Sequence, residues 1–216
     1  MKRLTNLAFD QIKVFNHQSL CVAITQRIIN PALFHFPFHE YMIRHHHLLE
    51  QYLINHQYNS QSQKVIRGKI NEYLILFYWK NQGIIPLYPQ AYLFFIPDIK
   101  FDLVLFTKTK RIMAFNFKTC LRDRYKQAVI EGQQLKKLDS RFRFYLLTND
   151  GLETVRLNQK ITQGKVSGID AVINCFSPEA DVFFKNLLTQ QFTIFTDINL
   201  IKKNKKGNKN HEETRF

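Results

Sequence analysis

Cysteine is scarce: Cys21, Cys120 and Cys175 are the only three in 216 residues. An odd, scattered set argues against a disulfide framework and against a zinc site. The chain also lacks a charged-then-apolar leader, an apolar run of membrane-spanning length, internal repeats and a glycine-rich phosphate loop. It therefore reads as soluble and cytoplasmic. Acidic residues are few as well, 17 against 31 Lys and Arg, for a formal net charge of +14. That imbalance suits a polyanionic partner. The run Lys202, Lys203, Lys205, Lys206, Lys209 has little apolar content and reads as a disordered tail over 202–216. With Arg215 the tail holds six of the 31 basic residues, so the charge belongs mostly to the folded part.

What is plentiful is apolar: 45% hydrophobic residues, with 20 Phe and 9 Tyr, enough for the core of one domain. The expected division is an N-terminal helical part over 1–62, an α/β core over 63–201, and the tail. Residues 7–30 read as helix, stopped by Pro31. A second helix is expected over 40–57. It carries His45, His46 and His47, which point in three directions and so cannot share one metal. They read as a polar face near phosphate. Residues 57–63 look like a polar loop, followed by a third helix over 64–82 with Gly83 beyond its end.

Strands are expected over 91–96, ending at Pro97-Asp98, and over 100–106. A hairpin turn at 107–110 returns the chain through 111–118. A turn centred near Thr109 puts Asp102 opposite Asn116, one pleat from Lys118. Asp98 has the same parity but lies farther along. From Leu121 the period becomes helical: Leu121, Tyr125, Ala128, Leu135 and Leu138 form one stripe, with Glu131 set between Ala128 and Leu135. A carboxylate there faces inward, which is costly unless it is paired or holds a metal. Residues 142–148 suit a buried parallel strand reached by the helix crossover. Residues 152–163 are partly helical. A strand over 170–176 and a helix over 178–190, N-capped by Ser177, complete the pattern. The fold class is α/β: a mixed sheet of about five strands flanked by helices, with the N-terminal helical part.

Two carboxylates beside a lysine carry a definite chemistry. Asp102 (or Asp98) and Glu131 offer the hard oxygen ligands that Mg²⁺ accepts with incomplete protein coordination. Such an ion neutralises charge on a phosphate, and Lys118 beside it can orient water or stabilise developing charge. The bland alternative makes Asp102 a surface charge and Glu131 the structural partner of Lys118. Glu72, beside the apolar face of the third helix, could equally pair with Lys69 or Arg67.

The tract K-T-C-L-R-D-R-Y-K-Q-A-V-I-E, Lys118 to Glu131, resembles the active-site tract of the PD-(D/E)xK nucleases. Within them it is similar to the type II restriction endonucleases of the EcoRII and NgoMIV group. In that group the metal-binding glutamate has moved onto the helix, 12 or 13 residues past the lysine; here the separation is 12. Asn116 stands where other members carry an acid. The resemblance covers roughly 68–131, with fold-level support to about 188. It implies a Mg²⁺-dependent endonuclease in which Asp102 and Glu131 bind metal and Lys118 assists the water. The aspartate is left between Asp102, favoured by strand pairing, and Asp98, which follows the family's proline. Glu72 looks like the family's outer acid, serving a second metal. In the resembling enzymes an R-(D/E)-R triplet enters the major groove, and Arg122, Asp123 and Arg124 match it. Arginine can pair with guanine O6 and N7, and a carboxylate accepts from cytosine N4, so CC and GG steps in the target are implied. Lys126 would contact phosphate. Double-stranded DNA as partner, at least a homodimer and a cognate DNA methyltransferase follow from the same resemblance. Two other classes fit the sequence: a structure-specific repair or junction nuclease of this fold, and a non-catalytic basic nucleic-acid-binding protein, for which Asn116 is the best argument.

Overall fold

The computed structural model of the chain describes residues 19–93, 96–122, 124–194 and 200–201. The tail at 202–216 and the start of the first expected helix lie outside them. Helix α1 is Leu20–Ile28, N-capped by Ser19, whose Oγ accepts from the Val22 N–H. A 3₁₀ turn, Pro31–His35, leads to α2, Phe38–Asn55. Helix α3 is Ser60–Asn81 and starts earlier than composition suggested. Asn59 caps it by accepting from the Ser62 N–H at 2.8 Å, so Ser60 to Gln63 form a polar first turn instead of a loop. The expected boundary at 62/63 therefore falls inside a helix. Pro37, at the start of α2, has no capping oxygen. Asp181 supplies one from a distant helix: its Oδ1 accepts the His39 backbone N–H at 2.9 Å, and its Oδ2 meets His39 Nδ1 at 2.6 Å.

Five principal strands follow. They are β1 Tyr88–Leu93, β2 Ile96–Phe106, β3 Ile112–Lys118, β4 Phe142–Thr148 and β5 Ala171–Asn174. A two-residue strand, β6 Leu200–Ile201, adds an edge, giving the order β5-β4-β3-β2-β1-β6. The β1–β2, β2–β3 and β1–β6 pairs are antiparallel; β3–β4 and β4–β5 are parallel, so the sheet is mixed. Residues 91–96 are not one strand, and Pro97-Asp98 does not end one. Both belong to β2, beside an irregularity in the β1 ladder where a missing N–H donor is tolerated. The hairpin turn is as expected: Thr107 N–H donates to Arg111 O at 3.0 Å, and Lys110 takes a left-handed φ of 62°. The pairs Leu103–Phe115 and Val104–Ala114 centre it on Thr109.

Helix α4, Arg124–Leu138, crosses from β3 to β4; α5, Gly151–Thr162, and α6, Glu179–Leu188, flank β5 in sequence. Helix α4 starts three residues later than the stripe from Leu121, and Leu138 at its end is 57% exposed. Buried Gly132 takes the inward place between Ala128 and Leu135. A Cβ there would sit 2.4 Å from Gly168 O and 2.7 Å from the Phe144 ring, so glycine sets how closely α4 lies on the sheet. Ser177 does not cap α6. Its hydroxyl donates to Asn174 O, and Pro178 takes the capping position. The strand expected over 170–176 is shorter because the Asp170 carboxylate binds the Phe144 N–H and Asn174 turns the chain.

The sheet separates two apolar layers. On one side α1, α2, α3 and α6 pack around Trp79, whose ring meets Phe115 edge-on at 5.1 Å. On the other, α4 and α5 bury Leu121, Ala128, Leu135 and Leu157 against Phe101 and Phe144. The N-terminal helices thus share a core with the sheet. Among the described residues no helix is long and apolar enough to cross a membrane.

The histidine triplet does not form one polar face. His46 is half-buried and His47 exposed, whereas His45 is fully buried. Its Nε2 accepts the Asn30 N–H at 3.1 Å, so Nδ1 carries the proton and donates to Tyr41 O at 3.0 Å. Burial lowers its pKa to about 4, against the opposing pull of the Tyr41 carbonyl. The unfolded chain therefore takes up a proton near the ordinary pKa of 6.5 that the folded chain refuses until about pH 4. Stability should fall by about 3 kcal/mol as pH drops through that window. Denaturant melts between pH 7 and 4 will show this slope in the wild type and its reduction in His45→Leu. Gly132→Ala should cost about 1–3 kcal/mol by overpacking, measured by the same melts.

Candidate active site

The β2–β3 ladder ends at Leu103–Phe115, and side chains continue the pairing. One register step on, the Asp102 N–H donates to Asn116 Oδ1 at 3.1 Å, and the Phe117 N–H donates to Asp102 Oδ2 at 2.8 Å. On the other side of β2, the same row reaches Gln90 of β1, since Pro89 pairs Leu103 and Ala91 pairs Phe101. Gln90 Nε2 donates to Asp102 Oδ1 at 3.1 Å and to Glu72 Oε2 of α3 at 3.0 Å. Three polar side chains from three neighbouring strands therefore stand in one line.

Asn116 is 3% exposed and has both ends of its amide engaged. With Oδ1 committed to an N–H, its Nδ2 faces Glu131 Oε2 at 3.1 Å. Aspartate in this place would have no donor for Glu131. Glu131 reaches the row from α4, and its other oxygen accepts from Gln127 Nε2, one turn earlier, at 2.7 Å. Burial raises the Glu131 carboxyl above its ordinary range. The Gln127 hydrogen bond and the Lys118 charge oppose that, while Asp102 adds to it. Glu72 is also raised, by burial first and then by the Asp102 charge, against the ammoniums of Lys69 and Lys118. Lys69 Nζ lies 2.6 Å from Glu72 Oε2, whereas Arg67 pairs with Glu50. Lys118, half-buried at the end of β3, stands beside Thr148 of β4 in the parallel register, and its charge acts on both Glu72 and Glu131.

Asp102, Lys118, Glu131 and Glu72 are thus brought together. Asp98 is not: it is exposed, four residues up β2, and among the described residues it shares none of the contacts that join the cluster. Arg122 lies in the turn before α4, Arg124 is its first residue and Lys126 follows, all exposed. Asp123 lies outside the described residues. The turn is anchored where the Leu121 N–H meets Asp150 Oδ2 at 3.4 Å. Sequence reasoning missed Gln90 and Gln127. The second was legible as an amide one helical turn before Glu131; the first depends on how β1 pairs with β2.

Among the described residues no three His, Cys, Asp or Glu side chains gather as a ready metal cage. The donor chemistry nonetheless suits Mg²⁺. Asp102 and Glu131 present hard oxygens, and each of their four carboxylate oxygens accepts one protein N–H, which leaves lone-pair capacity on each. Comparison of the chain with protein-family models, with curated proteins and with solved structures finds no match. The fold is α/β, and the site is a cluster of three carboxylates and two lysines held by three side-chain amides. Because the cluster crowds like charges, Glu131→Gln should melt no lower than the wild type in metal-free buffer. A drop of several degrees would mean that the carboxylate is structural.

Proposed function

We propose that the protein is a Mg²⁺-dependent, sequence-specific DNA endonuclease of a restriction system. The observation that carries this reading is the Asp102–Asn116–Glu131 chain of hydrogen bonds beside Lys118. It gathers, on one sheet face, the acid, the lysine and the helix-borne glutamate that the Lys118 to Glu131 tract implies. Asp102 and Glu131 would hold the ion, with Glu72 as the outer acid. When bound, the ion supplies Lewis acidity toward a phosphodiester oxygen. Lys118 orients the attacking water and stabilises negative charge growing at phosphorus. Arg122, Asp123 and Arg124 read base edges, with Lys126 on phosphate. One site per chain cuts one strand, so a homodimer or larger assembly is proposed, together with a protective DNA methyltransferase.

Digestion of unmethylated phage DNA with Mg²⁺ tests this reading, with wild type beside Lys118→Ala and Glu131→Ala. Discrete bands from the wild type alone are expected. A smear lost in both variants would keep the chemistry and remove the sequence specificity. Salt-sensitive binding without turnover would point to a binding protein. Arg124→Ala should lose about 1–3 kcal/mol of discrimination at one base pair, measured as relative cleavage of single-substitution targets.

A further inference from the structure

Gln90 has no part in the proposed chemistry, yet it touches two of its acids. Its Nε2 meets Glu72 Oε2 at 3.0 Å and Asp102 Oδ1 at 3.1 Å, one hydrogen for each. Its backbone is unusual. The φ of 53° is left-handed, a region few non-glycine residues occupy, and it occurs inside a strand whose neighbouring pairs keep their register. A single left-handed residue between pairs that keep their register persists when its surroundings over-determine it. Here those surroundings are two carboxylates sharing one amide. Glu72 belongs to the helical layer on one side of the sheet, while the row of Asp102 and Asn116 serves the α4 side, and the Gln90 side chain spans the two.

The geometry points to Gln90 as a positioning residue: its amide, aimed by the left-handed backbone, fixes the Asp102 carboxylate against Glu72 and so presents the remaining Asp102 lone pairs to a hard divalent cation. Two features make the assignment specific. The Phe117 N–H orients only Oδ2 of Asp102, so Oδ1 depends on Gln90. Glu72 and Asp102 also meet through that one amide nitrogen, and a donor shared between two like charges offsets their repulsion. The inference rests on the nuclease reading for its consequence in cleavage but not for its consequence in ion binding.

Gln90→Ala and Gln90→Gly separate the amide from the backbone, because glycine adopts a left-handed φ without strain. Mn²⁺ serves as the probe ion, its binding to the DNA-free protein read from loss of the free-ion EPR signal. Single-turnover cleavage of DNA is the second readout. Outer-shell partners of metal ligands typically contribute 10–100-fold to affinity or activity. Both variants should lose about tenfold or more in Mn²⁺ affinity and about 10–100-fold in cleavage rate, with the KM for DNA unchanged and melting temperatures near the wild type. Wild-type Mn²⁺ affinity in both variants would overturn the assignment. So would a loss in Gln90→Ala that Gln90→Gly does not share, which would place the effect in the backbone. A wild type that binds Mn²⁺ but cuts no DNA would end the nuclease reading, and the affinity comparison would still decide the role of Gln90. A wild type that binds no Mn²⁺ would overturn both.

Discussion

The Asn116 amide holds the candidate site together. It lies where the β2–β3 ladder stops, and it extends that ladder with side chains: one end takes the Asp102 N–H and the other holds Glu131. Because a buried amide must satisfy both its ends, each bond fixes the other. If Oδ1 is committed to a backbone N–H, Nδ2 can only face an acceptor, and the carboxylate of α4 is that acceptor. An acid in this place would repel Glu131, so the strand amide and the helix-borne glutamate are two halves of one arrangement.

Bringing three carboxylates near one another costs electrostatic energy, and the structure shows how that cost is spread. Amides stand between the acids: Gln90 between Glu72 and Asp102, and Asn116 between Asp102 and Glu131. Lys69 and Lys118 oppose the repulsion with charge, yet burial still leaves both glutamates harder to ionise than usual. The chain that carries this small acidic cluster has a formal net charge of +14. A polyanion would be drawn toward such a molecule, and the cluster is where a divalent cation would relieve local repulsion.

The scaffold supplies positions rather than chemistry. Glu72 comes from α3 in one layer and Glu131 from α4 in the other, so their spacing depends on how deeply each helix packs. For α4 that depth is set by Gly132 against Gly168, a contact that no side chain on Gly132 would permit. For α2 and α6, Asp181 fastens the end of one helix to the other across 142 residues of sequence. The turn that carries Arg122 and leads to Arg124 is held at Leu121 by Asp150, a residue that also caps α5.

Much of this was legible in the sequence wherever the signal was local or periodic. The turn residues at 107–110 dictated the register, and so the meeting of Asp102 with Asn116. The change from period two to period 3.6 marked the passage from β3 to α4 and put Glu131 beside the buried stripe, whose inward place Gly132 takes. Local reading failed where a distant group decided the outcome. The polar run from Ser60 resembled a loop because capping by Asn59, not composition, makes it helical. Ser177 resembled a cap, but the Asn174 carbonyl takes its hydroxyl. The histidines resembled a surface patch, but the Asn30 backbone draws His45 inward. Gln90 is the extreme case. No neighbour in sequence requires its left-handed backbone; a glutamate 18 residues before it and an aspartate 12 after it do. The sequence by itself determined which side chains alternate, which face the core and which strands pair through a short turn, because those depend on neighbours along the chain. Only the tertiary structure decided which amide stands between which acids, because hydrogen bonds between layers are chosen after the layers have met.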